Sequence, residues 1–95
     1  MMHTNRFAGF RYIYSEAAKR DLKKLEYHIV ERIIGKLDAL VAGKEGLDIK
    51  MMIGFTPPRY RLRVGDYLVA FEEYRNEIII IVIGVGHRKE IYKKM

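Results

Sequence analysis

The sequence predicts an α+β fold: a small antiparallel sheet with two N-terminal helices packed on one face, in the order strand, helix, helix, three-strand meander. Three observations predict it. Leu22, Leu25, Ile29, Ile33, Leu37 and Leu40 recur at spacings of three and four, the period of an amphipathic helix. Two runs flanking Gly65-Asp66, Tyr60 to Val64 and Tyr67 to Tyr74, have the composition of paired strands, and a glycine in the first central position suits a type II′ hairpin turn. The segment Phe10-Arg11-Tyr12-Ile13-Tyr14 alternates and is rich in aromatic residues, which marks a first strand.

The elements follow in order. The chain of 95 residues is expected to form a single domain, 1–95, with residues 1–9 as a flexible lead. Ser15 is placed to cap the first helix, and Glu16 in its first turn suits the helix dipole. The apolar stripe is long for one helix, so a break is expected near Tyr27-His28, and Gly43 ends the second helix. From Lys44 to Arg59 the chain reads as an irregular loop punctuated by Gly46, Gly54, Pro57 and Pro58. The meander then runs through Tyr60–Val64, Tyr67–Tyr74, a turn at Arg75-Asn76, and Glu77–Val85. The near-continuous isoleucines of that last strand predict burial on both faces. Arg88 to Met95 is a short basic tail with room for one helical turn.

Composition narrows the chemistry. There is no cysteine, which excludes a disulfide framework and a thiolate metal site and is compatible with a cytoplasmic location. The longest apolar run, Ile78 to Val85 with Gly84 inside it, is too short to span a bilayer, and no secretory leader is expected from Met1 to Arg6. A net charge of +6 favours an acidic partner, nucleic acid first. His3, His28 and His87 share no ligand spacing, so no metal site is expected. Gly84-Val85-Gly86 lacks the third glycine of a dinucleotide fingerprint. Glu72 and Glu73 are adjacent and point to opposite faces of a strand, which does not make a paired-carboxylate site. No cofactor is called for.

Cations remain. Arg61 and Arg63 are two apart, so on a strand both guanidinium groups stand on one face, away from Leu62 and Val64. With Arg88 and Tyr92 they form a candidate catalytic set; Lys50, Arg59, Lys89 and Lys93 are candidate RNA contacts. A guanidinium fork matches a phosphodiester, and positioned cations stabilise the charge of a pentacoordinate phosphate. RNA carries its own nucleophile, the 2′-hydroxyl, so a site that aligns the strand can cleave it without a histidine pair. Each residue also has a plain structural reading. Arg61 and Arg63 can pair with Glu72 or Glu73 across the hairpin. Lys89, Lys93 and Lys94 can be a solvated tail, His87 a satisfied structural residue, and Tyr92 a ring packed on the sheet. Tyr67, Phe71 and Tyr74 read as core or rim.

Three stretches together resemble the toxins of the RelE/ParE superfamily, in particular RelE-like ribosome-dependent mRNA endonucleases. They are Ser15 to Leu25, similar to the family's opening helix; Tyr60-Arg61-Leu62-Arg63-Val64-Gly65-Asp66-Tyr67, similar to its strand-hairpin core; and Ile83-Gly84-Val85-Gly86-His87-Arg88-Lys89-Glu90-Ile91-Tyr92, similar to its closing strand and tail. The resemblance implies metal-free cleavage of mRNA on the ribosome and a RelB-like antitoxin covering the same surface. It implies that Arg61 and Arg63 engage RNA near the scissile phosphate, that Arg88 contacts that phosphate, and that Tyr92 stacks on or activates the nucleotide. The sequence departs from the family pattern at Leu68, where an arginine commonly follows Gly-Asp-Tyr, and at Ile53, where a basic residue commonly precedes the loop glycine; Lys50 or Arg59 could fill the gap. A gyrase-inhibiting toxin of the same superfamily, and a binder of RNA or antitoxin that does not cleave, are the alternatives.

Overall fold

The computed structural model describes residues 5–94, with side chains described through 91. The elements are β1 (Arg11–Tyr14), α1 (Glu16–Lys23), α2 (Tyr27–Val41), β2 (Ile49–Met52), β3 (Arg59–Val64), β4 (Tyr67–Tyr74), a 3-10 turn (Arg75–Glu77), β5 (Ile79–His87) and α3 (Arg88–Lys94). The expected α+β architecture is present, with the β3–β4–β5 meander at its centre. The helix break lies at Lys24 to Glu26, slightly earlier than Tyr27-His28: the Lys24 N–H closes α1 on Asp21 O and Leu22 O, and Glu26 opens α2 in extended conformation.

Two features enlarge the sheet beyond the meander. Its strand order is β1-β5-β4-β3-β2. β2 forms within the stretch read as irregular and pairs antiparallel with β3, from Ile49↔Leu62 to Met52↔Arg59. β1 pairs parallel with β5, from Arg11↔Ile79 to Tyr14↔Val82, so the sheet is mixed. The intervening chain, which includes both helices, supplies the long connection that a parallel pair requires.

The core lies on one face. Ile33, Leu37 and Leu40 of α2 meet Leu62, Val64, Val69, Phe71, Ile80, Val82 and Val85 of the sheet, and Ala18 of α1 is buried among them. Residues 5–9, expected to be flexible, are packed instead. Phe7 is fully buried, in edge contact with Phe10, Tyr60 and Phe71 at 5.1–5.6 Å between ring centres. Asn5 Nδ2 donates to Leu40 O at 2.9 Å, and Gly9 N donates to Val41 O at 2.9 Å. The buried phenylalanine contributes roughly 1.5–3 kcal/mol toward holding the segment, and the Asn5 and Gly9 hydrogen bonds to the end of α2 add to it. Residues 1–4 of the same expected lead lie outside the described residues.

β5 is not buried on both faces. Ile80, Val82 and Val85 enter the core, while Ile79, Ile81 and Ile83 are only half-buried on the opposite side. That side is open near β1 and is covered at the other end by α1 and α3. Because β1 ends at Tyr14, the C-terminal half of β5 has no strand beside it. α1 takes that place: Ser15 N donates to Val82 O at 2.9 Å, and Asp21 Oδ2 accepts from Val85 N at 3.0 Å. Among the described residues no helix is long and apolar enough to cross a membrane.

Candidate nucleic-acid interface

The alternation of β3 decides where its cations go. Tyr60, Leu62 and Val64 are buried in the core, so Arg59, Arg61 and Arg63 stand together on the open face. The neighbouring strand faces Arg59 with Glu72 and the other two with a small and an apolar residue. Arg61 is paired in register with Ala70, and Arg63 with Leu68. A β-bulge between Ala70 and Phe71 interrupts the β4–β5 register at this level and strengthens the local twist.

Each arginine is held differently. Arg59 lies 4.0 Å above the Phe55 ring, and its Nη2 donates to Glu72 Oε2 at 3.1 Å; its Nε is buried without a hydrogen-bond partner. The Arg61 side chain is only 17% exposed, its Nη1 is buried with no hydrogen bond, and the nearest carboxylate oxygen, on Asp48, is 3.6 Å away. Directly opposite Arg61 on β2 stands Lys50. Like charges in direct cross-strand opposition are destabilising, so this pair weakens the sheet unless an anion lies between them. Arg61 and Lys50 line one hollow with Met51, Met52, Ile53 and Phe55.

Arg63 and Arg88 flank the β3–β4 turn. Arg63 Nε donates to Gly65 O at 2.8 Å, and Arg88, at the start of α3, donates its backbone N–H to Asp66 O at 2.8 Å with Nε 3.8 Å from Asp66 Oδ1. The structure therefore groups Lys50 with Arg61, and Arg63 with Arg88 around the hairpin; Arg61 and Arg63 line separate hollows. The cross-hairpin pairing of Arg61 or Arg63 with Glu72 or Glu73 does not form. Glu72 is taken by Arg59, and Glu73 turns to the other face, where Arg6, Arg75 and Tyr60 bind it.

Lys89 is exposed, and its backbone N–H donates to His87 Nδ1 at 3.2 Å; the His87 ring meets Tyr67 edge-on at 5.6 Å. Tyr92 and Lys93 belong to α3, but their side chains lie outside the described residues.

Two cations escaped sequence reasoning. Arg20 of α1 and Lys24, which caps it, line a cavity of about 330 Å³ with Asp21, Arg59, Ala70, Gly84 and Ile91. Their spacing of four, with Ala17 and Asp21 on the same stripe, was the available signal: a helical face mixing small and basic residues opposite Ala18 and Leu22.

Leu68, the departure from the expected arginine, is 1% exposed. It pairs with Gly86, and Ile91 Cβ lies 3.6 Å from where a Gly86 Cβ would stand, so α3 covers this part of the open face. Leu68, Ala70 and Ile91 are thus buried apart from the main core. They attach the C-terminal helix to the face that carries the cations.

A five-stranded sheet that buries one face under a helix and presents spaced arginines on the other defines a small cation-bearing α+β domain. Residues 12–92 match the family model described as ParE toxin of type II toxin-antitoxin system, parDE. The chain belongs to that family, within the RelE/ParE superfamily. Among solved structures it is similar to the RelB–RelE antitoxin–toxin complex from Methanococcus jannaschii, at 32% identity and a TM-score of 0.69, over 87% of this chain and 98% of that one. The archaeal RelE–RelB complex from Pyrococcus horikoshii shares the fold at 21% identity and a TM-score of 0.71, over 86% of this chain and 98% of that one. The RelBE2 toxin–antitoxin complex from Mycobacterium tuberculosis does so at 16% identity and a TM-score of 0.72, over 92% and 99%. The search of curated proteins found no match.

Proposed function

We propose that this toxin is an endoribonuclease that cleaves mRNA on the ribosome and is held inactive by a cognate antitoxin. One observation carries the reading: the Arg61 guanidinium is largely buried, its Nη1 makes no hydrogen bond, its one carboxylate neighbour, the exposed Asp48, stays at 3.6 Å, and Lys50 stands opposite it across the strands. A buried cation with unsatisfied N–H groups is costly in the free protein and is relieved by an incoming anion. A phosphodiester fits that demand, because its oxygens accept from both groups at once.

In the proposed reaction the 2′-oxygen of the nucleotide bonds to phosphorus as its proton passes to solvent water, and the bond to the 5′-oxygen breaks on the opposite side as that oxygen takes up a proton from water. Arg61 and Lys50 offset the charge that grows on the phosphoryl oxygens. Arg63 and Arg88 hold the strand at the hairpin end. Tyr92 and Lys93 on α3, with Lys89, are assigned to the nucleotide, and Arg59 to the backbone beside Phe55. The chemistry asks for alignment and positive charge, both of which side chains of this set supply. A cognate antitoxin is in keeping with the RelB–RelE complex from M. jannaschii, and an acidic segment on such a partner would complement this face.

The test is primer extension on a translated message. The wild-type protein is expected to produce cuts that depend on the ribosome, and Arg61→Ala and Arg88→Ala are each expected to lower cleavage by about 10²-fold or more. Undiminished cutting by both variants would overturn the assignment. A second reading, inhibition of gyrase without RNA chemistry, is favoured by one observation: the position that the resemblance gives to an arginine holds the buried Leu68. Loss of supercoiling by purified gyrase, with messages left intact, would establish that reading in place of the first.

A further inference from the structure

The cations of the open face do not end at β3. Beyond the Gly65–Asp66 turn a groove of about 560 Å³ lies between α2 and the hairpin, and Arg32, Lys36, Leu47, Asp48, Arg63 and Asp66 line it with two glycines. Arg32 and Lys36 are one helical turn apart on α2, so their side chains project side by side. All three cations are exposed, and none makes an ion pair among the described residues. The two carboxylates of the groove have other arginines nearest them: Asp48 has Arg61 at 3.6 Å, and Asp66 has Arg88 at 3.8 Å. Three positive charges are therefore left facing one hollow.

The turn is built to admit one of them. Gly65 has φ +60°, and a Cβ on it would stand 2.8 Å from Arg32 Nη2. A glycine here both closes the hairpin and leaves room for the guanidinium to lie across it. Arg63 joins this groove to the open face. It follows Arg61 by two residues on β3, a separation of about 7 Å, and its guanidinium reaches the turn.

We infer that the groove of Arg32, Lys36 and Arg63 binds the RNA backbone on one side of the linkage at Arg61. This rests on the proposed ribonuclease reading and extends its substrate contact around the end of the hairpin onto α2. An RNA strand suits the groove better than an acidic peptide does. Leu47 is the single large apolar side chain in its wall, whereas a bound peptide needs apolar surface for the residues between its acids. Nucleic-acid interfaces are polar, wet and strongly positive, which is the character of this one.

The experiment measures binding of a labelled single-stranded oligouridylate by fluorescence anisotropy from about 50 to 200 mM salt, where each phosphate contact contributes about −0.7 to the slope of log K against log salt. Arg32→Ala/Lys36→Ala is expected to flatten the wild-type slope by about 1.4. Lys19→Ala/Lys23→Ala removes the same charge from exposed positions of α1 and is expected to leave the slope nearly unchanged. Arg32→Gln/Lys36→Gln, with an unchanged circular dichroism spectrum, serves where alanine alters the helix. Equal slopes for the groove variant and the wild type overturn the inference, as does equal flattening by the groove and α1 variants, and the ribonuclease reading survives either result. A slope carried by the groove, with no cleavage of message, removes the nuclease reading and leaves the groove as a binding site. Absence of any salt-dependent RNA binding by the wild type removes both.

Discussion

Glu73 is the one charged residue among the buried described side chains, at 3% exposure, and it shows how a single group can depend on its surroundings. Burial alone would raise its carboxyl above the ordinary 4.5; hydrogen bonds from Arg6, Tyr60 and Arg75 outweigh that and lower it. The same contact acts oppositely on Tyr60, whose hydroxyl is pushed up by burial and by its bond to Glu73. A carboxyl lowered in the folded state contributes stability that is present above its unfolded value and is lost as pH falls through the folded one. The resistance of the wild type to urea is therefore expected to fall as pH drops below 4.5, and that of Glu73→Gln should fall less over that range. At neutral pH Glu73→Gln should cost about 2 kcal/mol, the scale of hydrogen bonds to a charged group. A parallel pH dependence in the two proteins would show that the Arg6–Glu73–Arg75 group does not govern acid stability. The site residues obey a simpler rule. Period-two alternation was enough to put Arg61 and Arg63 on one face. It could not show that Arg61 would be sunk beside Lys50, because that pairing comes from a strand whose sequence, Ile49-Lys50-Met51-Met52, carries neither alternation nor β-branched enrichment. Arg20 and Lys24 were hidden for a related reason: a basic helical face reads as solvated until the sheet edge beside it is known.

Elements whose signals are local were legible, and those that depend on distant partners were not. The helices and the hairpin at Gly65-Asp66 were fixed by period and turn chemistry. The parallel joining of β1 to β5 links residues that lie more than 60 positions apart, and no local pattern encodes it. The same pairing explains α1. β1 stops at Tyr14, leaving β5 with backbone groups that need partners, and the Asp21 carboxylate accepts the Val85 N–H at the point where a strand would have done so. Val85 is buried, so water cannot replace that acceptor freely. Asp21→Ala is expected to destabilise the protein by about 1–3 kcal/mol through the unpaired N–H, and Asp21→Asn, which retains an acceptor, by less. Native-state hydrogen exchange provides the local readout: the Val85 amide should exchange faster in Asp21→Ala while the Phe71 and Val82 amides keep their order of protection. Equal acceleration across the whole sheet would mean that α1 stabilises the fold only by packing.

At the scale of the molecule, 18 basic and 12 acidic side chains give the +6 charge its meaning through how the acids are used. Glu72, Glu73, Asp48 and Asp66 each stand next to an arginine, Asp38 accepts from Tyr12, and Asp21 is bound to the β5 backbone. Among the described residues, Arg63 and Lys50 on the sheet, and Arg32 and Lys36 on α2, have no acidic partner within ion-pair distance. They repel one another across a molecule whose radius of gyration is 12.6 Å. The Debye length shrinks from about 30 Å at 0.01 M salt to about 8 Å at 0.15 M, so dilute buffer leaves that repulsion acting across the whole domain and physiological salt confines it to near neighbours. Unfolding separates the charges, so the repulsion lowers the stability of the folded state and salt should restore it. The thermal midpoint is therefore expected to rise by a few degrees between about 10 and 150 mM potassium chloride, the shift that roughly 1 kcal/mol produces in a domain of this size. A polyanion binds the folded face in addition to screening it, so heparin at constant ionic strength should raise the midpoint further, by mass action on the native state. Removing four of the cations, Arg32, Lys36, Lys50 and Arg63, should abolish the heparin increment and raise the midpoint in dilute buffer. A wild-type midpoint that falls as potassium chloride is added would show that the arginine–carboxylate pairs outweigh the repulsion among the unpaired cations, and the face would then be electrostatically satisfied without an anion.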